Sequence, residues 1–74
     1  MRIAIDGRMS IRREKIIEII KNSGNKVDNN VSSNTHFLVQ RDLNVNRITK
    51  KLRNAIRNRV EIITENQLYK LLKT

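Results

Sequence analysis

Cysteine is absent from this chain, so neither a disulfide framework nor a thiolate metal site holds it together, and a reducing compartment is compatible with it. Long apolar runs are missing too. Phe37-Leu38-Val39 falls far short of a membrane span, and no signal-peptide pattern follows Met1, so the expectation is a soluble, intracellular chain that is neither secreted nor held by a membrane. Aromatic residues are reduced to Phe37 and Tyr69, too few to interleave with basic residues as stacking platforms for single strands. His36 is the lone histidine and has no second His, Cys or acid at ligand spacing. It reads as structural, and no metal or cofactor is expected. Proline and tryptophan are also lacking while Ile, Asn, Lys and Arg abound, a bias that AT-rich codon usage produces by itself.

What is present is one small, strongly basic body. Seventy-four residues leave room for a single domain, 1–74, close to the size at which one apolar core only just offsets the entropy of ordering the chain. Sixteen Lys and Arg against seven Asp and Glu give a net charge of +9, and in so small a body that spreads a positive field over much of the surface. Polyanions are the natural partners.

Order along the chain follows from the apolar pattern. Arg2-Ile3-Ala4-Ile5-Asp6 is an apolar run without alternation that stops at Gly7, as in a strand covered on both faces. Ser10 is a candidate cap for a helix with Ile16, Ile19 and Ile20 at helical spacing, ended by Asn22-Ser23-Gly24. Lys26-Val27 is a minimal second strand; Asp28-Asn29-Asn30 and Ser32-Ser33-Asn34 are turn formers around Val31. Thr35 to Val39 forms the third strand, and a polar loop from Arg41 to Arg47 leads to Thr49, a cap for a helix to about Asn58. On that helix Leu52, Ala55 and Ile56, with Ile48 just before it, are expected to share the buried face, opposite Lys50, Arg53 and Arg57. Val60 to Ile63 is the fourth strand. Thr64-Glu65-Asn66-Gln67 fits a capping box with Glu65 at a favourable helix start, before the buried stripe Leu68, Leu71 and Leu72. Strands alternating with helices predict an α/β fold with a mostly parallel sheet and helices on both faces.

The junction residues carry a resemblance. The apolar strand ending in Gly7, Ser23-Gly24-Asn25-Lys26-Val27, Val31 to Val39, then Thr49, Lys51 and Ala55, and Ile62-Ile63-Thr64-Glu65 resemble the BRCT family in order and spacing, from about Arg2 to Leu72. Many members have a Trp in the last helix where Gln67 stands here. In lacking it the sequence is most similar to the BRCT domains of NAD-dependent DNA ligases and of the replication factor C large subunit, and Leu68, Tyr69 and Leu71 must supply the packing. The resemblance implies a four-stranded parallel sheet in the order 2-1-3-4, flanked by three helices, the first and third on one face and the second on the other. It implies binding and not catalysis: DNA nicks or 5′-phosphorylated ends, phosphorylated peptides, or another BRCT domain, in replication, repair or ligation assemblies.

It also implies where a phosphate sits. Gly7, Arg13 and Lys51 match the family's Gly, Arg and Lys, while Asp6 occupies the usual Ser or Thr position and Asn54 stands where some DNA-binding relatives have a second Lys. Physical chemistry supports such a site independently: Gly lets backbone approach an anion, a helix N-terminus offers unpaired N–H groups, and Arg and Lys add charge. Asp6 would repel a dianionic phosphate unless Arg8, Arg12 or Arg13 neutralises it. Arg8, Arg12 and Arg13 at one helix start, with Thr49, Lys50, Lys51, Arg53, Asn54 and Arg57 on the other, are the candidate DNA contacts, because in a parallel sheet both helices begin at the carboxyl ends of strands. Asp6-Gly7 lacks the second acidic cluster of a Mg²⁺-dependent phosphotransferase, and Ser10 has no base paired with it in sequence; no catalytic residue is assigned.

Overall fold

The computed structural model describes residues 1–41 and 48–73; the polar loop expected over 41–47 therefore lies outside the described residues, apart from Arg41. Chain order is β1 (Arg2–Asp6), α1 (Arg13–Asn22), β2 (Lys26–Asp28), β3 (Phe37–Gln40), α2 (Lys50–Arg57), β4 (Glu61–Thr64) and α3 (Glu65–Leu72). The sheet is parallel throughout, in the order β2-β1-β3-β4, with Ile3 opposite both Val27 and Phe37, and Leu38 opposite Ile62.

The central strands β1 and β3 are apolar on both sides because each face of the sheet carries its own core. Ile3, Ile5, Val39 and Ile63 point to one face and close against Ile16 and Ile20 of α1 and Leu68 of α3. Ala4 and Leu38 point to the other, against Ala55 of α2, Val31 and Val60. The missing tryptophan is made good by Leu68, fully buried, and Leu71, as expected, but with Leu72 packed against that core where Tyr69 was expected; Tyr69 gives its hydroxyl to Glu65. The connection from β2 to β3 crosses β1 on the α2 face, and Val31 is buried there as its anchor.

Boundaries depart from the sequence expectations where a polar group finds a better partner. β3 starts at Phe37 because Thr35 is spent on a turn: its N–H donates to the Ser32 carbonyl (3.1 Å) and its hydroxyl to the buried Asp28 (2.7 Å), which also takes the Arg2 guanidinium at 2.9 Å. His36 is structural, as expected. Its Nδ1 accepts from the Arg2 amide (2.9 Å) while its own N–H donates to the Arg2 carbonyl (2.8 Å), extending the β1–β3 ladder by a side chain. β4 starts at Glu61 because the Val60 amide closes α2 by donating to the Ala55 carbonyl (2.8 Å), with Arg59 in the left-handed region at φ 57°. α1 ends similarly at Gly24, φ 82°.

Two expectations are corrected. Ser10 does not cap α1; Arg12 stands at the cap position and brings no capping oxygen. Ile48 and Ile56 are not buried but 69 % and 63 % exposed. The reason is the size of Ala55. With only a methyl group between helix and sheet, α2 settles with its Lys51–Ala55 line inward, and the Leu52–Ile56 line is rotated toward the edge, leaving Leu52 half-buried.

Candidate anion site at the carboxyl end of the sheet

Strand order decides where the site lies. β1 and β3 are neighbours, yet the helices that follow them leave toward opposite faces, α1 to one and α2 to the other. Such divergence opens a crevice beyond the carboxyl ends of the two strands, with a helix start on each side.

On the α1 side, Gly7 turns the chain at φ 78°, and a Cβ there would meet nothing within 4 Å, so glycine is required by the backbone and not by crowding. The segment 7–12 lines an open depression of about 520 Å³ with Ile5 and Arg13; Arg8, Arg12 and Arg13 all bring exposed side chains to it. On the α2 side, Thr49 caps the helix, its hydroxyl oxygen accepting from the Leu52 amide (3.1 Å). The same hydroxyl donates to Asp6 Oδ2 at 2.6 Å, and Gln40 Nε2 donates to that oxygen at 3.1 Å. Among the described residues Asp6 is thus a helix-positioning group tied to Thr49 and Gln40 instead of an arginine partner.

Lys51 reaches across the crevice. Its ammonium donates to the Ile5 carbonyl at 2.7 Å, just past the point where β2 stops pairing with β1 at Ala4 and Asp28. Burial holds its pKa below the usual 10.5, the Arg13 charge pushes it the same way, and Asp6 opposes both. Gly7, Arg8, Arg12, Arg13, Thr49 and Lys51 are therefore gathered at one end of the sheet. Lys50 and Arg53 are exposed on α2, Asn54 is half-buried and its carbonyl receives both nitrogens of Asn58, and Arg57 sits about 10 Å further down the helix, toward the opposite end of the sheet.

One group expected only as a favourable charge at a helix start has a different role. Glu65 is 4 % exposed, and its carboxylate takes the Ser10 amide (2.8 Å), the Ser10 hydroxyl and the Tyr69 hydroxyl. Burial disfavours its charge, but the hydrogen bonds from Ser10 and Tyr69, with the nearby charge of Arg41, outweigh that and hold its pKa below the usual 4.5. Tyr69, half-buried beside that carboxylate, is pushed up to about 12 by partial burial and by its hydrogen bond to Glu65. No local signal marks a pair separated by 55 positions. A depressed carboxylate stabilises the fold above its unfolded pKa, and the benefit goes as pH falls through the folded value. Thermal melts between pH 6 and 2 should accordingly show a loss of Tm setting in below pH 4.5 that is blunted in Glu65→Gln; equal pH profiles for the two proteins would contradict this.

Fold and site define a small α/β module whose distinctive chemistry is positive charge gathered around a glycine turn and two helix starts. Among the described residues no group of His, Cys, Asp or Glu is arranged to hold a metal ion, and no helix is long and apolar enough to cross a membrane. Residues 1–72 match the BRCA1 C Terminus (BRCT) domain family, and the chain belongs to that family, whose domains are non-catalytic modules. Over 73 residues, 99 % of this chain, it is 34 % identical to a DNA ligase of Mycoplasmopsis synoviae (strain 53). The match takes in 10 % of that ligase, so the chain spans about a tenth of its relative's length.

Proposed function

We propose that this BRCT domain holds DNA through its phosphate backbone, near a nick or a 5′-phosphorylated end, as a single-domain module of 1–74 serving a ligase-like or other replication or repair protein. The observation that carries this reading is that Arg13 at the start of α1 and Lys51 at the start of α2, from opposite faces of the sheet, come to the same end of it, with the Lys51 ammonium on the Ile5 carbonyl at 2.7 Å and the Arg13 charge acting against its own. Two cations held together at a cost are relieved by an anion placed between them. The positive-φ turn at Gly7 and an α1 start whose cap residue supplies no oxygen leave backbone N–H groups to share in that contact. Arg8, Arg12, Lys50 and Arg53 extend the surface for neighbouring phosphates, with Arg57 at its far edge. Asp6 disfavours a lone dianion more than the monoanionic diesters of a DNA backbone, which fits a role in which a terminal phosphate adds preference to broader contact.

The test compares a nicked duplex carrying a 5′-phosphate with a blunt dephosphorylated duplex. Lys51→Met keeps the aliphatic stem against the sheet and removes the charge; it should lose a 5′-phosphate preference of about tenfold, the value of one charge-assisted hydrogen bond. Retention of that preference in the variant would remove Lys51 from the site.

A second reading has its own observation. Ile48 and Ile56 stand exposed on the α2 side beside Arg53 and Arg57, as in a surface that meets a phosphorylated peptide or another BRCT domain. Absence of salt-sensitive affinity for any DNA, with self-association or peptide binding in its place, would favour this reading over the first.

A further inference from the structure

Glu65 opens α3, yet its carboxylate is not needed there. The helix start is already closed by Thr64 and Gln67, whose side chains each take the other's backbone N–H, at 3.1 and 2.8 Å. Glu65 instead brings both oxygens to the segment after β1, Oε1 on the Ser10 amide and Oε2 on the Ser10 hydroxyl, with the hydroxyl of Tyr69, one turn along its own helix, also on Oε2. A carboxylate so enclosed carries a desolvation cost that an apolar side chain at the same place would avoid.

Ser10 lies in the middle of the segment joining β1 to α1, which has no regular structure over 8–12 and carries Arg8 and Arg12 before delivering Arg13. Beside it, Met9 packs against the α1–α3 core. Among the described residues, Ser10 is the member of segment 8–11 with hydrogen bonds to another element, and both go to Glu65. We infer that Glu65 is a positioning residue of the anion site: through its two hydrogen bonds to Ser10 it fixes the path of the arginine-bearing segment. Tyr69 completes the carboxylate's shell from α3, its hydroxyl sharing Oε2 with the Ser10 hydroxyl and interacting with it. What the arginines meet rests on the DNA-binding reading; the pinning of the segment does not.

Two readouts separate these levels. Amide hydrogen exchange at Ser10 in the free protein reports the pinning, and the ratio of affinities for 5′-phosphorylated and unphosphorylated nicked duplex reports its consequence. Glu65→Gln should speed Ser10 exchange tenfold or more and cut that ratio about fivefold, while affinity for plain duplex at low salt holds or rises because a negative charge is gone. Tyr69→Phe removes a hydrogen bond of the same carboxylate and a contact of the Ser10 hydroxyl but leaves both Ser10–Glu65 bonds, so it should stay within about twofold of the wild-type exchange and ratio. Ser10→Ala, which keeps the amide bond and loses the hydroxyl bond at an exposed position, should fall between the two and serves if Glu65→Gln does not fold. Unchanged Ser10 exchange in folded Glu65→Gln would overturn the inference, as would a Tyr69→Phe ratio as low as that of Glu65→Gln, the pattern of a merely structural cluster. If the wild-type protein binds no DNA, the DNA reading fails alone, and the exchange rates decide the pinning.

Discussion

Raising monovalent salt from about 50 to about 200 mM is expected to weaken duplex binding several hundredfold, the effect of displacing counterions from roughly five phosphates. The number follows from where the cations lie. Arg8, Arg12, Arg13, Lys50, Lys51 and Arg53 face the carboxyl end of the sheet or the first turns of its helices, while Arg57 is a further turn away, so a straight duplex meets most of this set but not all of it at once. The slope of log affinity against log salt should be about −4 to −5. Contacts of this kind carry no base information, so scrambled duplexes of one length should give one curve. Fluorescence anisotropy across a salt series measures both. A slope shallower than about −2 would mean that only one or two phosphates are met and that the broad basic surface is a solvated face.

The second large effect is on the fold itself. Leu68→Ala should cost about 3 to 4 kcal/mol, since the side chain is fully buried among Ile3, Ile5, Ile16, Ile20, Val39 and Ile63 and the backbone around it cannot collapse onto the cavity. A chain of 74 residues has in total about 4 to 11 kcal/mol to lose. The variant therefore gives up a large share of that stability, with a Tm lowered by about 12 to 32 °C in thermal circular dichroism. Ile56→Ala provides the contrast: at 63 % exposure it should move stability by no more than about 0.5 kcal/mol. Equal losses in the two variants would mean that the α1–α3 face is not the principal core. With no disulfide and no tryptophan in the last helix, nothing else stands in for Leu68.

Elements were legible wherever one physical signal dominated. Ile3-Ala4-Ile5 and Phe37-Leu38-Val39 read as doubly covered strands because no polar residue interrupts them, and Thr64 with Gln67 announced α3 through a pairing confined to four residues. The 2-1-3-4 order was available from the family resemblance and not from periodicity, which is silent on which strands become neighbours. What failed to read was rotation and distance. Nothing local told α2 to turn Ala55 inward in preference to Ile56; that choice belongs to Ala4, Leu38 and Val31 across the interface. Ser10 has the composition of a helix cap, and its commitment to Glu65 depends on α3 packing beside α1. Gly7 and Lys51 were singled out in sequence, but that Lys51 would bind the Ile5 carbonyl and that Asp6 would hold Thr49 were consequences of how the two helix starts meet.

The smallest side chain in the second core has a reach beyond packing. Ala55 has no exposure and lies one helical turn after Lys51 on the same line. Whatever stands at position 55 sets how far α2 rides above β1 and β3, and so how much of the lysine stem is used up before its ammonium comes level with the Ile5 carbonyl. The methyl group acts as a gauge block: the reach of the lysine at one end of the sheet is set by a packing contact one helical turn away, and a larger residue there would have to be met by a shift of the lysine, the glycine turn, or both.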